Sequence, residues 1–112
     1  MTEEEFVAFI KAQFRSHGLW SDGWEFSIVP EIRSLHGYTD NEKRFIVFSR
    51  EHWPTSERNM KETVLHEIAH ALCGHGEHNL EWWDKLIDIG GRGIWVEYPE
   101  KIKFIGVTVI YK

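Results

Sequence analysis

The stretch Val64-Leu65-His66-Glu67-Ile68-Ala69-His70-Ala71-Leu72 sets an H-E-x-x-H motif inside an apolar sequence with helical periodicity. On an α-helix two histidines four positions apart project from one face, so that both imidazoles are able to bind one ion. The apolar residues recur at helical spacing and form a separate stripe, which consists of Val64, Leu65, Ile68 and Leu72. The stretch therefore predicts a helix that buries one side and presents a metal-binding pair on the other.

Glu67 directly follows the first histidine, close enough to hold a water molecule without binding the metal itself. Zinc in such a site makes hydroxide available near neutral pH and polarises a carbonyl group, which is the chemistry of peptide hydrolysis. His66 and His70 are therefore predicted zinc ligands. Glu67 is the predicted general base, which takes a proton from the attacking water and delivers it to the leaving nitrogen.

The ends of this helix are also marked in the sequence. Asn59 and Glu62 form a plausible capping pair at its start, and Gly74 is a suitable stop signal at its end. Three fixed residues in five also occur by chance in ordinary helices. The apolar stripe and the two end signals favour a functional motif over such a coincidence.

A catalytic zinc usually has three protein ligands and one position for water, so a third ligand is expected after the helix. The metzincin pattern would place a histidine where Gly76 stands. His78 is the favoured candidate, because it follows a glycine-broken turn and directly precedes a new helical pattern. His75 and a carboxylate, Glu81 or Glu97, remain alternatives.

The run 64–91 resembles the core of the SprT-like (Spartan/SprT) zinc metalloprotease family. That pattern is a His-Glu-x-x-His helix, a short loop, and a histidine four residues before an aromatic residue that opens another helix. Five residues of this chain fit it, namely His66, Glu67, His70, His78 and Trp82. Weaker likeness to the strands of the family extends the resemblance back to about Trp20.

The resemblance implies a zinc-dependent metallopeptidase with His66, His70 and His78 as ligands, and it suggests a link to DNA-bound protein substrates. Many SprT-like proteins also carry a cysteine-rich zinc ribbon after the protease core. Cys73 is the single cysteine of these 112 residues, so the sequence resembles a minimal form without the ribbon. That departure argues against DNA-directed activity, whereas the expected hydrolytic core does not depend on the ribbon.

Composition indicates which partners and compartment to expect. A formal net charge of −5 opposes a general grip on nucleic acid, so we expect a protein or peptide substrate and at most weak, salt-dependent DNA binding. The basic residues before the motif are interspersed with glutamates. A lone thiol, no apolar membrane-length segment and no signal-peptide pattern at the start predict a cytoplasmic protein with no membrane association.

The remaining patterns predict one α+β domain over residues 1–112, with a small antiparallel sheet beside the active-site helix. A capping box at Thr2 and Glu5 begins a first helix that reaches about Ser16. The other expected elements are strands at 24–29, 32–38 and 45–49, a polar turn at 39–42, a helix at 80–89, and C-terminal strands at 95–98 and 102–111.

Two other functions use the same residues. The site could be structural, in a non-catalytic metal-stabilised module that binds peptide or DNA, although such a module has no need of Glu67 as a base. A hydrolase acting on a non-peptide amide is the other alternative. Side chains suited to stabilise an oxyanion are His75, Arg92, Tyr98 and Tyr111.

Overall fold

Three helices and three strands make up the computed structural model, which describes residues 1–32, 36–50 and 56–92. In chain order they are α1 (Glu3–Ser16), β1 (Glu25–Val29), β2 (Gly37–Asp40), β3 (Phe45–Ser49), α2 (Glu57–Cys73) and α3 (Leu80–Asp88). The predicted α+β class and the order of these six elements are confirmed. The strands predicted at 95–98 and 102–111 lie outside the described residues.

Helix α1 begins as the sequence predicts. The Thr2 hydroxyl accepts a hydrogen bond from the Glu5 backbone N–H, and the Glu5 carboxylate accepts one from the Thr2 N–H, which satisfies two otherwise unpaired donors. Phe6, Ile10 and Phe14 recur every four residues and are buried on one side. This stripe packs α1 onto the sheet, where the rings of Phe6 and Phe48 meet edge to face at 5.6 Å.

The sheet is mixed. The expectation of an antiparallel sheet is therefore wrong for one of its two strand pairs. Its strand order is β1-β3-β2. β2 pairs antiparallel with β3 across a tight turn, whereas β1 pairs parallel with β3. The chain inserts β3 between the two earlier strands because β3 is the most apolar of the three, with Ile46 and Phe48 fully buried. In the central position, β3 is hydrogen bonded to a neighbouring strand along both of its edges.

Helix α2 lies across the sheet and carries the motif. It starts one turn earlier than predicted, because the Ser56 hydroxyl, not the Asn59 side chain, receives the capping N–H bond. It ends as predicted at Gly74, whose φ of 81° lies in the left-handed region that glycine adopts without strain. Val64 and Ile68 enter the main core against α1 and the sheet.

Helix α3 packs against the other side of α2. Asn79 caps its first turn, and the fully buried Trp82 and Leu86 meet Leu65 and Ala69 of α2 in a second apolar cluster. The two clusters flank α2, so the helix that carries the motif is packed against the main core on one side and against α3 on the other. Within the described part of the chain, no helix is long and apolar enough to cross a membrane.

Candidate metal centre

Three histidines converge at the junction of α2 and α3. His66 and His70 lie one turn apart on α2, and His78 reaches them from the loop, next to the cap of α3. One ring nitrogen from each lies within 4.8 Å of the other two, and the Nε2 atoms of His66 and His78 are 3.2 Å apart. Three imidazole nitrogens this close together could hold one metal ion.

Trp82 forms the wall behind the three imidazoles. Its ring centroid lies 4.9 Å from that of His66, 5.2 Å from that of His70 and 4.7 Å from that of His78. The indole N–H donates to the His66 backbone carbonyl at 3.3 Å, which satisfies the one polar atom of a fully buried ring. In the sequence, Trp82 marks the start of α3 and fits the family spacing of four residues after His78. Its contact with all three histidines follows from the packing of α3 on α2.

The His70 ring is held by the loop that follows α2. Its Nδ1 lies 3.0 Å from the backbone carbonyl of His75. A carbonyl only accepts, so Nδ1 carries the proton and the lone pair of Nε2 is left for a metal. Gly74 therefore does more than end the helix, since the turn it opens brings this carbonyl back to His70.

The other candidate ligands point elsewhere. The His75 ring bonds to Glu81, with Nε2 and Oε1 2.9 Å apart, and its Nδ1 accepts from the Glu77 backbone N–H. His75 and Glu81, both considered as the third ligand, are thus paired with each other. Glu97 lies outside the described residues.

The residues considered for oxyanion stabilisation fall into two groups. The backbone N–H of Arg92 donates to both carboxylate oxygens of Glu62, one turn before His66 on α2. His75 is engaged with Glu81, as described above. Tyr98 and Tyr111 lie outside the described residues. In the described part of the chain, the contact that these four residues make with the histidines is the one between the His75 backbone carbonyl and the His70 ring.

Burial keeps the three imidazoles neutral. It lowers the pKa of His66 well below its usual 6.5, and the positive charges that His70, His78 and His36 would carry lower it further. Burial also lowers the pKa of His70, to about 4, and that of His78. Neutral imidazole is the form that binds a metal, so the site is ready for an ion at neutral pH without first losing protons.

Glu67 is buried beside the cluster. Its Oε2 lies 3.8 Å from Nε2 of His66, and its side chain is 8% exposed. Burial raises the pKa of Glu67 to about 7, against the opposing effect of a hydrogen bond from Thr39. A carboxyl group with a pKa near 7 is able both to take up and to release a proton at neutral pH, as a general base requires.

Strand β2 supplies the other contacts to Glu67. The Thr39 hydroxyl lies 2.6 Å from its Oε1, and a Cβ atom at Gly37 would come within 3.0 Å of its Cγ. The sequence predicts neither contact. It places Gly37 in a strand without indicating which element the strand faces, and it indicates a turn at Thr39. His36, which directly precedes β2, lies close enough to His66 to influence its pKa.

No protein-family model matches this sequence, and no curated protein matches it significantly. Membership of the SprT-like family therefore stays a prediction from the motif and its spacing.

Proposed function

We propose that this protein is a zinc-dependent metallopeptidase of the SprT-like kind, in which Glu67 acts as the general base. One observation carries the proposal. Three imidazole nitrogens lie within 4.8 Å of one another, and the neighbouring buried carboxyl group has a pKa near 7. Ligands for one metal ion and a group of suitable proton affinity thus occur together on one helix.

In this proposal His66, His70 and His78 hold the ion, and the carbonyl of His75 orients the His70 ring. Zinc, when bound, supplies a Lewis acid that polarises the peptide carbonyl and lowers the pKa of water. Glu67 accepts the proton of the attacking water and returns it to the leaving nitrogen. Trp82 shields the back of the histidines, so that substrate approaches from the side on which His78 is exposed.

Two features favour catalysis over a purely structural metal site. Structural zinc sites are usually closed by four protein ligands, whereas the described residues bring together three. Burying the Glu67 carboxylate also costs free energy. A site that only holds a metal ion has no use for a buried carboxylate that is not a ligand. An open position beside a buried base is the arrangement that hydrolysis needs.

The substrate in this proposal is an exposed or unfolded segment of polypeptide. A net charge of −5 gives weak, salt-dependent attraction to DNA at most, so any action on DNA-bound proteins would rely on contacts with the protein part.

The test is a comparison of two glutamine variants of the zinc-loaded protein with casein as substrate. Glu67→Gln should retain zinc and fold but lose at least about a hundredfold in rate, because general-base catalysis typically contributes that much. Glu62→Gln is the matched control, since Glu62 is an equally buried glutamate of the same helix that bonds to the Arg92 backbone. Equal rates for Glu67→Gln and wild type would refute the role of Glu67 as the general base. A zinc-loaded wild-type protein that cleaves no substrate would refute the proposed peptidase activity.

A further inference from the structure

The inner face of β2 meets the Glu67 side chain at two positions. Alternate residues of a strand face the same side, so Gly37 and Thr39 both point towards α2, while Tyr38 between them is half exposed on the other side. β2 packs directly on α2. Thr39 contacts the side chain of the proposed base, and a Cβ atom added at Gly37 would meet the same side chain.

Thr39 makes the polar contact. Its hydroxyl lies 2.6 Å from Oε1 of Glu67 and 3.1 Å from the Glu67 backbone carbonyl. One hydroxyl has one proton to donate, and the carbonyl, inside α2, already accepts a helical N–H bond. A carboxylate is also the stronger acceptor. The proton therefore goes to Oε1 whenever Glu67 is ionised.

Gly37 makes the steric contact. A Cβ atom at this position would lie 3.0 Å from Cγ, 3.2 Å from Oε2 and 3.3 Å from Cδ of Glu67. Gly37 is not among the described glycines with positive φ, so its backbone does not require glycine. Glycine at this position therefore leaves space for the Glu67 carboxyl group. It is not needed for an unusual backbone conformation.

We propose, on the basis of the hydrolytic function proposed above, that Thr39 and Gly37 are positioning residues for Glu67. Thr39 engages Oε1 and so leaves Oε2, which lies 3.8 Å from Nε2 of His66, as the atom that accepts the proton. Gly37 provides the space in which that oxygen lies. Neither residue contacts the reacting atoms in this scheme; both act through the orientation of Glu67.

The physical basis is the freedom of a glutamate side chain. Three rotatable bonds let its two oxygens exchange places or withdraw, and fixing them in advance removes that entropic penalty from the reaction. A displacement of about 1 Å at a reacting group is able to lower a rate about a hundredfold. Loss of the Thr39 hydroxyl should therefore act on the chemical step and not on substrate binding.

The first test measures kcat and KM for Thr39→Val and Thr39→Ser with zinc bound. Thr39→Val should lower kcat by about tenfold to a hundredfold with KM nearly unchanged, and Thr39→Ser, which keeps the hydroxyl, should recover most of the rate. Thr63→Val is the matched control. Within the described part of the chain, the buried Thr63 hydroxyl donates to the Asn59 backbone carbonyl, one turn earlier on α2, and not to Glu67. A loss in Thr39→Val no greater than in Thr63→Val would overturn the proposal.

Gly37→Ala is an independent variant that moves the same carboxyl group by contact and not by loss of a hydrogen bond. It should also lower kcat, with zinc affinity retained, since the added methyl group meets Glu67. Unchanged kcat in Gly37→Ala would contradict the role given to Gly37.

A second readout needs no activity. In the metal-free protein, Thr39→Val should raise the unfolding equilibrium constant about fivefold or more, the typical effect of leaving a buried hydrogen-bonding group without its partner. In a Glu67→Leu background the same change should have little effect. Equal effects in both backgrounds would overturn the proposed contact. A third outcome is that the effect of Thr39→Val on unfolding depends strongly on Glu67, while the wild-type protein cleaves no substrate. That result would refute the hydrolytic function and would support the contact between Thr39 and Glu67.

Discussion

Burial of the Glu67 carboxyl group makes the stability of the metal-free protein depend on pH. The folded-state pKa is about 7 and the ordinary value 4.5, so the folded protein holds this proton more tightly than the unfolded chain. The contribution to stability is fully present below pH 4.5 and is lost as pH rises through 7. The buried His70 acts in the opposite sense, because its lowered pKa of about 4 removes stability as pH falls below 6.5.

The variant Glu67→Gln separates the two effects. Relative to wild type, the metal-free variant should gain stability as pH rises from 5 to 8. The gain is on the order of 3 kcal/mol, since the pKa of Glu67 is raised from 4.5 to about 7 and each pH unit corresponds to about 1.4 kcal/mol. Urea unfolding with a chelator present at several pH values measures it. A difference between the two proteins that does not change with pH would contradict the buried, protonated carboxyl group.

At the scale of the element, Gly74 closes α2 in a conformation that other residues adopt only with strain. Gly74→Ala should lower the free energy of unfolding by about 1 to 2 kcal/mol, because φ is 81° there. Gly76→Ala is the matched control two residues later. Neither position has an atom within 4 Å of an added Cβ, and Gly76 is not among the described positive-φ glycines.

Thermal or urea unfolding of the two glycine variants gives the comparison. Gly76→Ala should change stability by less than about 0.5 kcal/mol, as expected for a surface substitution away from special backbone conformations. Similar losses in both variants would mean that the turn after α2 depends on loop flexibility in general and not on the left-handed residue at its start.

For the molecule as a whole, a metal ion bound to the three histidines should stabilise the fold, since these residues come together only in the folded chain. Free zinc at about a hundred times its Kd contributes about 2.7 kcal/mol, which raises Tm by about 10 °C in a domain of this size. Differential scanning calorimetry with zinc and with chelator measures the shift. Elemental analysis should find one zinc per chain.

Two alanine variants identify the ligand in the loop. His78→Ala should abolish the zinc-dependent rise in Tm, whereas His75→Ala should keep it, because the His75 ring is bonded to Glu81 and only its backbone carbonyl serves His70. Loss of the shift in His75→Ala with retention in His78→Ala would reverse the assignment of the third ligand.

Local patterns were sufficient for much of the architecture. The capping box at Thr2, the stop at Gly74 and the four-residue spacing of His66 and His70 each depend on residues close together in the chain, so they could be recognised without the fold. Spacing also favoured His78, since the glycine-broken loop is long enough to return the chain to α2. These features are short-range, and their physical causes are hydrogen bonds and periodicity within one element.

Contacts between distant elements needed the tertiary structure. The parallel pairing of β1 with β3, the burial that raises the pKa of Glu67, and the approach of Thr39 and Gly37 to that carboxyl group all join residues more than fifteen positions apart. The residue pattern of a strand predicts which of its faces is buried but not with which other strand it pairs. The sequence therefore determined which residues form the candidate site. Only the packing of β2 and α3 on α2 decided how these residues are oriented, because desolvation and hydrogen bonding of a side chain depend on what surrounds it.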